Sequence, residues 1–187
     1  MTAAQVPQLV PYDAFLRDES ASEDRHEWVN GVVYAMSRGT PEHARLTGRM
    51  FTRVLGAFGD CEAFAESAAI FIEASQHHTY ADGSLVCGPL VTRTVHDRNG
   101  KSLGEAIVNP TIIVEVLSES TERYDRDGKF EAYKKLASFE SYVLVSQGER
   151  RLEVRTKRDG QWTTAIATTG ESVVIHGKTF EVDAIFG

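Results

Sequence analysis

The sequence predicts an α/β fold built on a mixed β-sheet, and three features carry that prediction. Asn30-Gly31 stands between His26–Val29 and Val32–Met36, the arrangement of a two-residue hairpin, so the chain opens with two antiparallel strands. Ile112 to Leu117 and Tyr142 to Val145 are short apolar runs with a helical pattern between them, and strand, helix, strand in that order makes a right-handed crossover and a parallel pair. From Arg151 onward Leu152 and Val154 alternate with charged residues, Asp159-Gly160 makes a turn, and Trp162 to Thr168 returns antiparallel. With 187 residues of which 42% are hydrophobic, one domain spanning residues 1–187 is expected, with a substantial core.

The remaining elements follow in order. Tyr12 to Asp18 reads as a short helix with Phe15 and Leu16 apolar, ended by the polar stretch Glu19 to Arg25. Thr40-Pro41-Glu42-His43 supplies a helix N-cap, a proline at the first helical position and an acid near the positive end of the helix dipole. Leu46, Met50, Val54 and Phe58 recur at helical spacing, so a helix runs from about Pro41 to about Ala57. Ala63 to Glu73 reads as one strand and Tyr80 to Cys87 as a second, with Asp82 near its start. Gly88 to Asn109 is polar and contains Asp97-Arg98-Asn99-Gly100, a loop or exposed hairpin at the periphery. Ser118-Glu119-Ser120-Thr121 leads out of the central strand into a helix from about Asp125 to Leu136, with Lys129 (through its stem), Phe130, Tyr133 and Leu136 on one face. Val173, Val174, Ile175 and Phe180 mark further short antiparallel pieces.

Composition bounds the function. A net charge of −7 and a pI near 5.4 exclude a protein that coats nucleic acid electrostatically, so any such contact is local. Cys61 and Cys87 have no CxxC pattern or His cluster around them, which implies neither a zinc site nor a disulfide scaffold and fits a reducing cytosol. Met1 to Val10 lacks a basic segment followed by an apolar one, and no apolar run reaches the roughly 18 residues of a spanning helix. The expected location is cytoplasmic, with no membrane partner.

One residue breaks the pattern of the central strand. Pro110 to Ser118 reads as fully buried, and within it an unpaired ionised Glu115 would cost several kcal/mol of desolvation. Glu115 therefore requires a metal ion, a basic side chain, or both. Strand alternation places Ile113, Glu115 and Leu117 on one face and Ile112, Val114 and Val116 on the other. Asp82 projects from a neighbouring strand, and Lys129 from the helix that follows. Two such carboxylates suit Mg²⁺ or Mn²⁺, and a lysine beside them adds positive charge near a scissile phosphate, which together are the parts that phosphodiester hydrolysis requires.

Each residue also has a plainer explanation. Glu115 and Lys129 form a structural ion pair; Asp82-Gly83 is a turn dipeptide; Lys129 is a surface lysine paired with Asp125 at i, i+4. Glu27 is either a third carboxylate at the metal or a solvated strand charge, and His43 either orients a phosphate or water or is a partly exposed polar residue. His77-His78 is read as a loop, because adjacent extended residues point to opposite faces and cannot readily chelate one ion. Tyr133 is a core residue at helical spacing.

Tyr80-Ala81-Asp82, the run Pro110 to Ser118, and Ser120-Thr121 with Asp125, Lys129 and Tyr133 resemble the Uma-type endonucleases of the PD-(D/E)XK, or restriction-endonuclease-like, superfamily. Glu27-Trp28-Val29-Asn30-Gly31, Pro41-Glu42-His43 and Tyr142-Val143-Leu144-Val145 add to the resemblance, which runs from about Tyr12 to the C-terminus. It implies a central mixed sheet flanked by helices, a Mg²⁺-dependent nuclease-type site and a homodimer. Two positions depart from the superfamily pattern: Ala81 replaces the proline before the aspartate, and Leu117 stands where a lysine follows two residues after the glutamate. Lys129 then takes the basic role, a relocation that the Uma-type family shares. The expected function is metal-dependent hydrolysis of phosphodiester bonds in DNA, with Asp82 and Glu115 as metal ligands, Lys129 as their catalytic partner, and Glu27 and His43 as auxiliaries. The rival expectation is a catalytically inactive nuclease-fold interaction or assembly module.

Overall fold

A computed structural model describes residues 8–37 and 39–187. The sequence reading of Met1 to Val10 falls mostly outside the described residues. No helix among those described is long and apolar enough to cross a membrane.

The chain forms an α/β structure of two six-stranded mixed sheets and a few helices. Helix α1 (Tyr12–Glu19) precedes the hairpin β1 (His26–Val29) and β2 (Val32–Ala35), whose turn residues Asn30 and Gly31 have φ of 47° and 92°. Those left-handed values are what the Asn-Gly pair supplies at low steric cost. Helix α2 (Pro41–Arg53) starts as the cap signal predicts, with Thr40 Oγ1 accepting the His43 N–H at 3.1 Å. A short 3-10 turn, Leu55–Ala57, extends it.

Next come β3 (Glu62–Ala65), β4 (Ala69–Ile72), β5 (His77–Tyr80), β6 (Gly83–Val86), β7 (Thr92–His96), β8 (Ser102–Ile107) and β9 (Ile112–Leu117). A helical segment with a π-turn at Tyr124–Lys129 continues as α3 (Phe130–Tyr133). The chain ends with β10 (Ser141–Ser146), β11 (Arg151–Arg158), β12 (Gln161–Thr168), β13 (Ser172–Ile175), β14 (Lys178–Glu181) and α4 (Val182–Phe186). One sheet has the order β2-β1-β5-β4-β8-β7, the other β12-β11-β10-β9-β6-β3, and β13-β14 is a separate hairpin. The anticipated parallel pair is β9 with β10, in register from Ile112↔Ser141 to Leu117↔Ser146.

Five expectations need correction. Ala63 to Glu73 is two strands, β3 and β4, which join different sheets across a turn at residues 66–68. Tyr80 to Cys87 is likewise broken, because β5 belongs to one sheet and β6 to the other, so Asp82 lies between strands and not within one. His77 and His78 are in β5, not a loop, and His78 is buried. Cys61 and Cys87 form a disulfide: Cys61 precedes and Cys87 follows the end pair of the β3–β6 ladder, Glu62↔Val86, so the two face each other one step beyond it. Spacing alone carries no such information, since the pairing depends on two strands meeting. The polar 88–109 segment is the β7–β8 hairpin, but Ala106 and Ile107 are buried and β8 pairs with β4, so its base is part of the fold.

The alternation inferred for the central strand is found. Ile112, Val114 and Val116 pack with Leu46 and Met50 of α2 and with Val173 and Ile185, while Ile113 and Leu117 pack with Phe130, Tyr133 and Tyr142. Ile70 and Ile72 of β4 join that second cluster, and the intervening Phe71 turns to the opposite face, against Phe15, Trp28 and Tyr80. One core therefore ties both sheets to the helix that carries Lys129.

His78 gives the fold a pH signature. Tyr80 Oη donates to Glu19 Oε1 at 3.2 Å, so its oxygen accepts from His78 Nε2 at 3.3 Å and His78 Nδ1 accepts from Tyr12 Oη at 2.9 Å. That arrangement needs a neutral imidazole, and burial pushes its pKa down from 6.5 to about 4. The unfolded chain binds the proton first as pH falls, so this stabilisation is complete above pH 6.5 and declines from there towards pH 4, by about 3 kcal/mol in full. In urea unfolding at a series of pH values, His78→Phe should flatten the slope in that window; an unchanged slope would contradict the assignment.

Candidate active site

Glu115 lies within β9, with all six residues of that strand buried. The β6–β9 ladder runs from Leu85↔Ile112 to Gly83↔Val114 and then stops, one residue short of Asp82 and Glu115. Beyond that point the chain has left one sheet for the other, and Asp82 supplies with its side chain what the ladder no longer can: Oδ2 accepts the Val116 N–H at 2.6 Å. An unpaired buried backbone N–H at this position would be unfavourable, so the carboxylate is held by the backbone of the strand that carries Glu115. Close packing helps to fix the crossing, since a Cβ on Gly83 would meet Leu55 Cδ1 at 2.9 Å.

His43, in the first turn of α2, reaches the same oxygen: Nε2 lies 3.2 Å from Asp82 Oδ2. The hydrogen bond with Asp82 raises the His43 pKa above its ordinary value, against the opposing effect of burial.

Lys129 bridges the two sheets. Its Nζ lies 3.2 Å from Glu115 Oε1 on β9, 3.3 Å from Glu27 Oε1 on β1 and 3.4 Å from Asp125 Oδ1 one helical turn earlier, and it donates to Tyr80 O at 3.0 Å. All four of these side chains are buried. Tyr133 Oη donates to Glu115 Oε1 at 3.0 Å, and Thr79 Oγ1 donates to Glu27 Oε1. Three carboxylates thus share one ammonium. They hold Lys129 protonated, with a pKa above the usual lysine value despite its burial. The excess of acid appears on Glu115, where burial, reinforced by Asp125, Asp82 and Glu27, outweighs Lys129 and raises the carboxyl well above its ordinary range. Burial raises Asp125 as well.

The cluster opens into a cleft of about 1190 Å³ that Glu27, His43, Asp82, Glu115, Asp125 and Lys129 all help to line. Asp82 Oδ1 and Glu115 Oε2 take no part in the hydrogen bonds found among the described residues, so each carboxylate keeps one oxygen for a ligand. Among the described residues no group of three or more His, Cys, Asp or Glu side chains is arranged to hold a metal ion by itself.

The structure therefore gathers Glu115, Lys129, Glu27, Asp82 and His43 around one cleft. Glu27 is buried and not a solvated strand charge, and the Asp125–Lys129 pair is interior and not a surface pair. Tyr133 is a core residue, as its spacing suggests, and in addition hydrogen-bonds Glu115. Thr79 and the Tyr80 carbonyl carried no signal in the sequence, because their roles arise only where β5 runs beside β1.

The family model described as "Putative restriction endonuclease", Uma2, matches residues 12–184. The chain belongs to the Uma2 family. Two proteins of Synechocystis sp. are similar to it along nearly their whole length: "Uncharacterized protein slr1290" is 32% identical over 98% of this chain and 94% of its own, and "Uncharacterized protein sll1609" is 27% identical over 87% and 89%. Among solved structures, one from Anabaena variabilis titled a "putative nuclease belonging to DUF820" superposes with a TM-score of 0.67 over 88% of this chain and 91% of that one. At 15% identity the likeness is one of fold alone.

Proposed function

We propose that this Uma2 protein is a metal-dependent endonuclease that hydrolyses phosphodiester bonds in DNA, acting at the cleft where β6 and β9 separate. The observation that carries this reading is the convergence of Asp82, Glu115 and Lys129 at the point where the chain changes sheets, with more carboxylate present than one ammonium can neutralise. The donor set fits a hard cation. Mg²⁺ is commonly bound through one or two carboxylates, with water and substrate oxygens completing its shell, so the lack of a third protein ligand is compatible with it. Asp82 and Glu115 would hold the ion, which when bound would polarise a phosphoryl oxygen and lower the pKa of water.

The chain's own residues supply the rest. Lys129 is kept protonated by Glu27, Glu115 and Asp125 and offers its charge to phosphate oxygens at the cleft. Tyr133 fixes Glu115 from behind, and His43 and the Val116 N–H fix Asp82, so that both carboxylates are oriented before substrate arrives. A homodimer belongs to the same reading and is checked by sedimentation.

The test is a titration of Mg²⁺ and Mn²⁺ that follows plasmid nicking and the thermal midpoint together. Metal-dependent nicking with a rise in the midpoint is the expected result. A second reading, an inactive interaction or assembly module, draws on the Glu115–Lys129 pair, which already satisfies one carboxylate oxygen without a metal, and on the net charge of −7. Absence of both nicking and metal-linked stabilisation would favour it.

A further inference from the structure

The helix that carries Lys129 is irregular at its functional end. Residues Tyr124–Lys129 form a π-turn, in which Lys129 pairs with both Glu115 and Asp125. A π-turn exchanges the regular i→i+4 ladder for a wider loop of backbone, and such segments are rare and concentrated at functional sites. Here side chains from the neighbouring strands hold it. Tyr142 Oη, on β10 and fully buried, donates to Asp125 O at 2.9 Å. Arg155 Nη1, on β11, donates to Arg126 O at 2.6 Å. Glu153, also buried, accepts from Arg155 Nε at 2.9 Å and from Arg126, so one carboxylate aligns both guanidinium groups. The Tyr142 ring stacks on Phe130 at 5.6 Å and 9°, and the Arg155 guanidinium lies 4.5 Å from the centroid of the same Phe130 ring.

We propose that Tyr142 and Arg155 are positioning residues for the reaction. By fixing the two carbonyls that follow the start of the π-turn, they set the angle at which Lys129 meets Glu115 and Asp125. Neither residue lines the cleft. Packing alone does not account for a polar atom at position 142: a phenylalanine ring would fill the same space among Phe130, Tyr133 and Phe139, and the hydroxyl serves the Asp125 carbonyl. The inference rests on the endonuclease reading for its catalytic consequence, but the geometry it asserts can be measured separately.

Tyr142→Phe deletes one donor and no ring atom. In the metal-dependent nicking assay its kcat should fall about ten- to a hundredfold with KM unchanged, as expected for displaced catalytic groups. Arg155→Met should behave alike, and Arg155→Lys should recover part of the loss. The second readout is independent of activity: solvent exchange of the Lys129 ammonium protons, followed by NMR of ¹⁵N-lysine-labelled protein and assigned with Lys129→Met. Slow exchange in the wild type and faster exchange in Tyr142→Phe support positioning even if no DNA is cleaved, in which case only the endonuclease reading fails. Wild-type exchange in Tyr142→Phe, with wild-type kcat where cleavage occurs, overturns the proposal whatever happens to the thermal midpoint.

Discussion

Replacing Lys129 by methionine should destabilise the protein by about 3–5 kcal/mol, the usual cost of removing one partner from a buried ion pair. The stem of the side chain is retained, so little packing is lost; what disappears is the only cation within ion-pair distance of Glu27, Glu115 and Asp125 among the described residues. Those groups cannot all remain ionised together in a buried site, and the carboxyls of Glu115 and Asp125, raised even with Lys129 present, must rise further. A carboxyl whose folded pKa exceeds its unfolded value contributes stability at low pH and loses it as pH rises from the unfolded value to the folded one. The difference between wild type and Lys129→Met should therefore be smaller at pH 5 than at pH 8 in chemical denaturation. A combined Lys129→Met, Glu115→Gln protein should recover part of the loss, since the double change removes one of the stranded charges. A constant difference across pH would mean that the ammonium is not what keeps these acids ionised.

The second large effect concerns cleavage. Asp82→Asn and Glu115→Gln should each lower the nicking rate by about a thousandfold or more, because a metal supplies several kcal/mol of transition-state stabilisation and each 1.4 kcal/mol is a factor of ten. The amides are chosen to separate chemistry from folding. At position 82 the side-chain carbonyl can still accept the Val116 N–H, so the junction between the sheets stays closed. At position 115 the change relieves an excess of negative charge, and the thermal midpoint should hold or rise. Loss of nicking together with unfolding would point to a structural role for these carboxylates; undiminished nicking would remove both from the reaction.

Much of this architecture was legible in the residues. The Asn-Gly turn, the Thr40-Pro41 cap and the apolar run 112–117, interrupted by Glu115 alone, are local signals, and the elements they mark occur where expected. Glu115 was legible for a different reason, since a charged residue inside a buried strand cannot stand without a partner. What stayed hidden depends on contacts between distant segments. Near Tyr80 and Asp82 the turn dipeptide Asp82-Gly83 marks a break, but a change of sheet has no local signature, because each half reads as ordinary strand and only the pairing partners differ. Burial of Glu27 follows from β5 lying beside β1, and the Cys61–Cys87 bond from β3 meeting β6; neither pairing has a local signature. The helical face of Lys129, Phe130 and Tyr133 was visible from spacing, whereas the π-turn was not, and the side chains that bond its carbonyls, Tyr142 and Arg155, come from other strands.

A crystal soaked in Mn²⁺ and measured near the manganese absorption edge examines the metal site most directly. One anomalous peak in contact with both Asp82 and Glu115, with Lys129 beside it, is the expected result. No peak there at saturating Mn²⁺, with Glu115 still held by Lys129 and Tyr133, would mean that the two carboxylates do not form a cation site.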